Sequence, residues 1–252
     1  MSTHNFSDYR VEETTINVGK TASATYMSQV FLWMFAALGI SAVFAFLFAS
    51  SPSLLSALVH FNPATGRGGL SILGWAVMLA PIGFVMMMSF AFQRLSYGAL
   101  VALFLAYSAI NGISFSFILL QFTAGSVISC FLSAAVMFGV MAVMGYTTKK
   151  DLTSFGRILS MGLIGILVAM VINFFMHSSG LDYLISIVGV GVFVGLTAWD
   201  VQKLKNIGTG VEYGEISAYD GKKIGILGAL TLYLDFINIF LFLLRLFGSR
   251  RD

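Results

Sequence analysis

Gly228-Ala229-Leu230-Thr231-Leu232-Tyr233-Leu234-Asp235-Phe236-Ile237-Asn238-Ile239-Phe240 is an apolar run with a carboxylate at its centre. The apolar stretch extends from Ile224 to Phe247. That is about two dozen residues, enough to cross a bilayer at about 1.5 Å of rise per residue. Thr231, Asp235, Asn238 and Arg245 are spaced i, i+4, i+7 and i+14, so they share one helical face. An aspartate at the bilayer centre costs about 2.5–3.5 kcal/mol on insertion scales. The cost is tolerable when the face points into a protein interior with polar partners. The run is therefore expected to be an interior helix with other helices around it, not one that faces lipid.

The rest of the chain supplies such surroundings. Of 252 residues, 58% are hydrophobic and only 10% charged, against about 25% charged in soluble domains; mean hydropathy is +0.91. Seven apolar segments are expected at 28–49, 71–92, 97–119, 124–145, 157–176, 181–203 and 224–247. Each is about 20 residues long, which excludes the alternating ten-residue strands of a membrane barrel. The 26 glycines fit membrane helices. The expectation is an all-α integral membrane protein: a polar N-terminal tail over 1–27, a seven-helix transmembrane domain over 28–247 and a short C-terminal tail over 248–252. Residues 1–27 lack an apolar core segment, so the first span is expected to act as the insertion signal. The connection 50–70, with Pro52, Pro63 and several glycines, reads as an irregular loop. The connection 204–223 reads as a glycine-rich solvated loop carrying Glu212, Glu215 and Asp220. The other connections are short, which predicts antiparallel hairpins of neighbours.

Orientation follows from Lys and Arg. With the N-terminus inside, Arg10, Lys20, Arg94, Lys149, Lys150, Arg157, Lys203, Lys205, Lys222 and Lys223 are cytoplasmic, 10 in all. Arg67, Arg245, Arg250 and Arg251 are outside, 4 in all. A re-entrant last segment would improve this to 13 against 1. The segment is long enough to span, so the C-terminus is placed outside. The net charge of +3 carries no nucleic-acid signal. One cysteine, Cys130, excludes an internal disulfide. His4, His60 and His177 lack metal-ligand spacing.

A second carboxylate, Asp200, ends the sixth segment in Gly195-Leu196-Thr197-Ala198-Trp199-Asp200-Val201-Gln202. An aspartate in the last turn opposes the helix dipole. It is either an interfacial residue paired with Lys203 or Lys205, or a carboxylate facing an inner cavity. Asp235 in turn is either a neutral acid bonded between helices, with Asn238 as a candidate partner, or one half of an acid pair with Asp200. Two carboxylates brought together in a low-dielectric site titrate as a unit and sense pH. Fully ionised, they form a hard oxygen site of the kind Ca²⁺ prefers. The depths differ, however: counted from the cytoplasmic lysines, Asp235 is about 12 residues in and Asp200 about three, a gap on the order of 13 Å. Contact requires the sixth helix to continue past Lys205 or the seventh to sit shallow.

In the third segment, Ser108, Gly112 and Ser116 repeat every four residues as a small-residue packing ridge. Tyr107, Asn111 and Ser114 form an adjacent polar stripe, open to packing or pore lining. Arg94, at the cytoplasmic end of the second segment, is a topology anchor or a counter-ion to Asp200.

Gly195-x-Thr197-Ala198-x-Asp200-x-Gln202 resembles the signature of the Bax inhibitor-one (transmembrane Bax-inhibitor-motif) family, bacterial members included. Leu232-Tyr233-Leu234-Asp235-Phe236-Ile237-Asn238 resembles that family's last-helix motif, and Tyr107-Ser108 with Gly112-x-Ser114 agrees less specifically. The likeness covers about residues 25–247. It implies six helices in antiparallel pairs around a central seventh, and a pH-sensitive calcium leak gated by Asp200 and Asp235. It also implies an arginine of the second helix that latches the sixth-helix aspartate, with Arg94 as candidate. Thr197, Gln202, Asn238, Tyr107 and Asn111 are candidate lining or supporting residues. Asp200 and Asp235 are candidate calcium contacts, with calcium as permeant ion and no cofactor. The expected setting is a bacterial inner membrane, with the lipid bilayer as partner and no nucleic acid. Some bacterial members are linked to a membrane-bound AAA protease, so a non-transporting regulator is the alternative, and the polar tail would suit that contact. Two departures are Trp199, where the family usually has tyrosine, and a 204–223 connection that is long for a bacterial member. No enzymatic role is expected. An intramembrane aspartyl protease would need Gly-x-Gly-Asp at the second site, whereas Leu232-Tyr233-Leu234 precedes Asp235. A retinal protein would need a lysine in the middle of the last helix, and Lys222 and Lys223 lie at its edge.

Overall fold

The computed structural model describes the backbone of residues 7–62 and 67–251, with side chains over 23–60 and 69–251. The elements are α1 (Ser7–Ser50), α2 (Pro52–Leu58), β1 (Val59–Asn62), β2 (Arg67–Leu70), α3 (Ile72–Phe90), α4 (Tyr97–Gln121), α5 (Ala124–Thr147), α6 (Thr153–Met176), α7 (Ser179–Glu212) and α8 (Ala218–Phe247). Seven of the helices contain a stretch long and apolar enough to cross a membrane; in α1 that stretch is Ser23–Ser50. The expected all-α membrane architecture is what the chain adopts.

Most helices begin on a side-chain cap. Ser71, Ser96, Thr123, Ser178 and Ser217 each accept a hydrogen bond from a backbone N–H of the first turn. Such a cap contributes about 0.5–2 kcal/mol and fixes where each span starts after a short connector.

Three expectations about the connections are corrected. The backbone of residues 7–27 is helical, the first part of α1, where an irregular tail was expected; residues 1–6 lie outside the described residues. The 50–70 connection contains α2, with Pro52 in its first turn, and the antiparallel pair β1–β2 in register Val59↔Leu70 and His60↔Gly69. The 204–223 connection is mostly helix: α7 runs on to Glu212 and α8 starts at Ala218. Falling hydropathy marked the end of the apolar run there, not the end of the helix. Of the C-terminal tail, residues 249–251 lie along the α4–α5 turn. Thr123 N–H donates to the Ser249 carbonyl at 2.9 Å, and Arg251 N–H donates to the Gln121 carbonyl at 2.9 Å.

The core is α8 together with α7. Within the most apolar window of each span, 72% of α8 and 61% of α7 is buried, against 33% or less in every other span. α8 packs against α1, α4, α5 and α7. α3 packs on α4, and α6 on α7, as outer helices. Chain neighbours are not always packing neighbours: the extensive partner of α1 is α4, and α5 packs on α7 and α8.

Small residues decide those partners. A Cβ at Gly112 of α4 would overlap the Ser41 carbonyl of α1, and a Cβ at Gly145 of α5 would overlap the Ala198 carbonyl of α7. Backbones meet at both points, as small residues permit between membrane helices. The Ser108–Gly112–Ser116 ridge is thus buried against α1. Tyr26 of α1 lies against both Gly208 and Gly225, fastening α1 to α7 and α8.

Candidate functional site

The α7–α8 register places the two aspartates. Gly221 takes the side chain of Val211, Gly228 takes Leu204, and Gly189 takes the ring of Phe242. This antiparallel alignment sets Asp200 level with Leu232, and Asp235 level with Thr197. The acids are therefore three residues, roughly 4.5 Å, apart along the helix axes. The depth gap expected from the lysines closes because α7 continues beyond Lys205.

Both carboxyls are buried, Asp200 at 8% exposure and Asp235 at 4%, and they lie within hydrogen-bonding range of each other. Among the described residues no N–H or O–H donor reaches Asp235 Oδ2, which is fully enclosed. An ionised carboxylate only accepts hydrogen bonds. A bond between the acids therefore requires a proton on one of them. Buried polar atoms are rarely left unpaired, so the enclosed oxygen is the distinctive chemical feature of the site.

The neighbouring cations are committed elsewhere. The charge of Lys203 acts on Asp200, but its ammonium stacks over Trp199 at 5.3 Å from the ring centre. Lys205 donates to the Tyr146 carbonyl at 2.8 Å and lies over the Tyr146 ring. Among the described residues the sole ion pair is Arg245–Asp182 at 3.7 Å, joining the last turn of α8 to the first turn of α7. Arg94 is exposed in the α3–α4 turn and forms no ion pair with Asp200 in this conformation.

The other candidate residues divide by location. Thr197 is fully buried and donates to its own helix, at Phe193 O. Asn238 and Thr231 do likewise, to Leu234 O and Leu227 O. They line the face of α8 that carries Asp235 but do not bond to it. Gln202 pins the α5–α6 connection: its Nε2 donates to Lys150 O at 2.8 Å and its Oε1 accepts from Leu152 N–H at 2.8 Å. In that connection Asp151 accepts from the backbone N–H of Thr153 at 2.8 Å. Hydrogen bonds from the Thr153 side chain and backbone hold the Asp151 carboxyl below the usual carboxylate value.

Tyr107 and Asn111 belong to a second buried cluster. Asn111 Nδ2 donates to Tyr107 Oη at 2.9 Å and to Tyr233 Oη at 3.2 Å. Tyr233 Oη bonds Ser41 Oγ at 2.8 Å, and Ser41 Oγ donates to the Ser108 carbonyl at 2.7 Å. Tyr233 and Asp235 are two residues apart, about 200° around a helix. α8 thus presents the acid to α7 and the phenol to α1 and α4. Sequence reading identified Tyr107 and Asn111 but gave no role to Tyr233 or Ser41, whose pairing spans 192 residues. It also missed Lys223, which is buried and stacked over Phe92 and Tyr219 at the start of α8.

Comparison with known proteins decides the family. Residues 23–252 match the family described as "Inhibitor of apoptosis-promoting Bax1". The chain belongs to the Bax inhibitor-one family. It is 44% identical over 227 residues to the inner membrane protein YbhL of Escherichia coli K12, covering 90% of this chain and 92% of that one. It is 36% identical over 248 residues to protein RP147 of Rickettsia prowazekii, covering 97% and 99%. It is 46% identical over 146 residues to YrjE of Lactococcus lactis, covering 58% and 60%. The family match extends from the membrane-spanning part of α1 to the C-terminus and includes both aspartates and Arg94.

Proposed function

We propose that this chain is a pH-sensitive calcium leak of the bacterial inner membrane, gated by the Asp200–Asp235 pair. The observation that carries the proposal is the burial of both carboxyls within hydrogen-bonding range of each other at the α7–α8 contact. With a proton shared between them, α7 and α8 are tied at the pair. Once it is lost, two negative charges face each other in a low-dielectric interior, and the arrangement of α7 against α8 changes. A two-state shift of this kind needs only a differential stabilisation of a few kcal/mol.

The pair supplies too few ligands for a resident ion. Ca²⁺ takes six to eight oxygens, and no cluster of three or more acidic, His or Cys side chains exists among the described residues. Calcium is therefore proposed as a passing ion, met by two carboxylates at a constriction. Arg94 is proposed to pair with Asp200 in a conformation other than this one, after the α3–α4 turn moves. The N-terminus is taken as cytoplasmic, on the Lys/Arg count, and the inner-membrane setting accords with YbhL.

Calcium-loaded liposomes test the reading. Wild-type protein should leak in a pH-dependent manner, and Asp235→Asn should leak with that dependence abolished. If wild type and variant leak alike at every pH, the gate is elsewhere. The alternative is a non-transporting regulator of a membrane partner such as an AAA protease. The backbone of α1 favours it, because the helix starts at Ser7, about 20 residues before the apolar run that begins near residue 28. Removing that extension would then abolish the partner's response and leave flux unchanged.

A further inference from the structure

α4 and α5 are joined by a short turn, yet both pack on α8 and neither packs extensively on the other, and α5 does not pack extensively on α1. A gap is left between the α1–α4 pair and α5, floored by α8. It is a groove of about 570 Å³ including its open side, with walls that include Ala42, Ala45, Leu119, Phe131 and Phe240. The polar side chain in the wall is Ser41, and its hydroxyl is engaged by Ser108 O and Tyr233 Oη. The groove therefore offers an occupant hydrocarbon contact only.

One end of the groove is different in kind. Its α4 and α5 walls end at the Gln121–Thr123 turn, and the C-terminal segment 249–251 is strapped to that turn. Thr123 N–H bonds Ser249 O, Arg251 N–H bonds Gln121 O, and Phe122 bridges Arg250. Ser126 Oγ adds a bond to Ser249 O at 3.4 Å. Backbone pairing thus holds Arg250 and Arg251, both exposed, beside the turn that follows the groove's α4 wall and precedes its α5 wall. Neither has an acidic partner among the described residues, whereas Arg245 is paired with Asp182.

We infer that this groove is a binding site for an anionic phospholipid, with one acyl chain between α1, α4, α5 and α8 and the headgroup phosphate at Arg250 and Arg251. A chain-shaped apolar slot inside a membrane selects hydrocarbon. Two guanidiniums at its interfacial end, neither with an acidic partner among the described residues, select a phosphate that carries net negative charge. This site is separate from the acid pair and does not depend on calcium conduction.

Full-length protein, stripped of lipid in a neutral detergent, tests the assignment. Phosphatidylglycerol and phosphatidylcholine with identical chains are added, and retained lipid is read by native mass spectrometry alongside the thermal midpoint. Wild type should hold phosphatidylglycerol on the order of tenfold more tightly, as one to two basic contacts would give. The Arg250→Gln/Arg251→Gln protein should lose that preference while melting in detergent alone as wild type does. Ala42→Trp, at an exposed position on the groove wall, should reduce retention of both lipids. Equal retention of the two lipids by wild type overturns the assignment. So does a preference that survives loss of both arginines, or a protein dimer that excludes lipid from the groove.

Discussion

Replacing Gly145 by alanine is the most demanding test of how α7 is held. Gly145 faces the backbone of α7 at Ala198, two residues before Asp200. An added methyl would overlap the Ala198 carbonyl oxygen and lie 2.9 Å from Ala198 Cα. Both are backbone atoms and cannot rotate aside, so α5 and α7 must separate by about 1 Å. Overpacking of this kind costs about 1–3 kcal/mol, set against a helix-propensity gain of about 1 kcal/mol for Gly→Ala. The net expectation is a loss of up to about 2 kcal/mol. Gly139, on the same helix, has nothing within 4 Å of an added Cβ, so Gly139→Ala receives the gain without the clash. The pair should therefore differ by about 1–3 kcal/mol in thermal or denaturant unfolding in detergent, with Gly145→Ala the weaker. Because Asp200 moves with Ala198, Gly145→Ala should also alter the pH dependence of the proposed calcium leak, and Gly139→Ala should not. Equal stability of the two variants would refute the backbone contact between α5 and α7.

Other consequences follow from single contacts. Tyr233→Phe removes bonds to Ser41 and Asn111 in a fully buried cluster and should cost about 1–3 kcal/mol, read as a lower unfolding midpoint. Gln202→Leu frees Lys150 O and Leu152 N–H; hydrogen exchange should rise at 150–152 while α8 is unaffected. Asp151 has its carboxyl held below the usual value of 3.8. Its folded form therefore favours the charged state, and its contribution is present above that value and lost as pH falls through the lower, folded one. Asp151→Ala should thus weaken the start of α6 slightly at neutral pH and make no difference in strong acid, as followed by amide exchange. Arg245→Gln breaks a half-exposed pair with Asp182 and should change stability by under about 1 kcal/mol.

The spans were legible because twenty apolar residues in a row have few other meanings, and Asp235 was legible because a carboxylate in such a run is costly. Its nearness to Asp200 was open at that stage. Counting from Lys203 and Lys205 placed the acids at different depths, because it assumed that a helix stops where hydropathy falls. α7 continues to Glu212, with Tyr26 against Gly208 and Lys205 bonded to Tyr146 O. Tertiary contacts outside the apolar zone sustain it. The α1–α4 pairing was illegible for another reason. Short connectors tie only helix ends, and the match of Gly112 to the Ser41 backbone lies between residues 71 positions apart. Local patterns cannot announce such a match. The Tyr233–Ser41–Asn111 cluster escaped for the same reason, since each member alone reads as an ordinary packing residue.

Infrared difference spectroscopy across a pH titration, in membranes, addresses the acid pair itself by following the carbonyl stretch of protonated carboxylic acids. A proton shared by Asp200 and Asp235 gives wild-type protein a buried-acid band that varies with pH and is altered or lost in both Asp200→Asn and Asp235→Asn. A wild-type spectrum without such a band at any pH, or a band untouched by either substitution, would contradict the account.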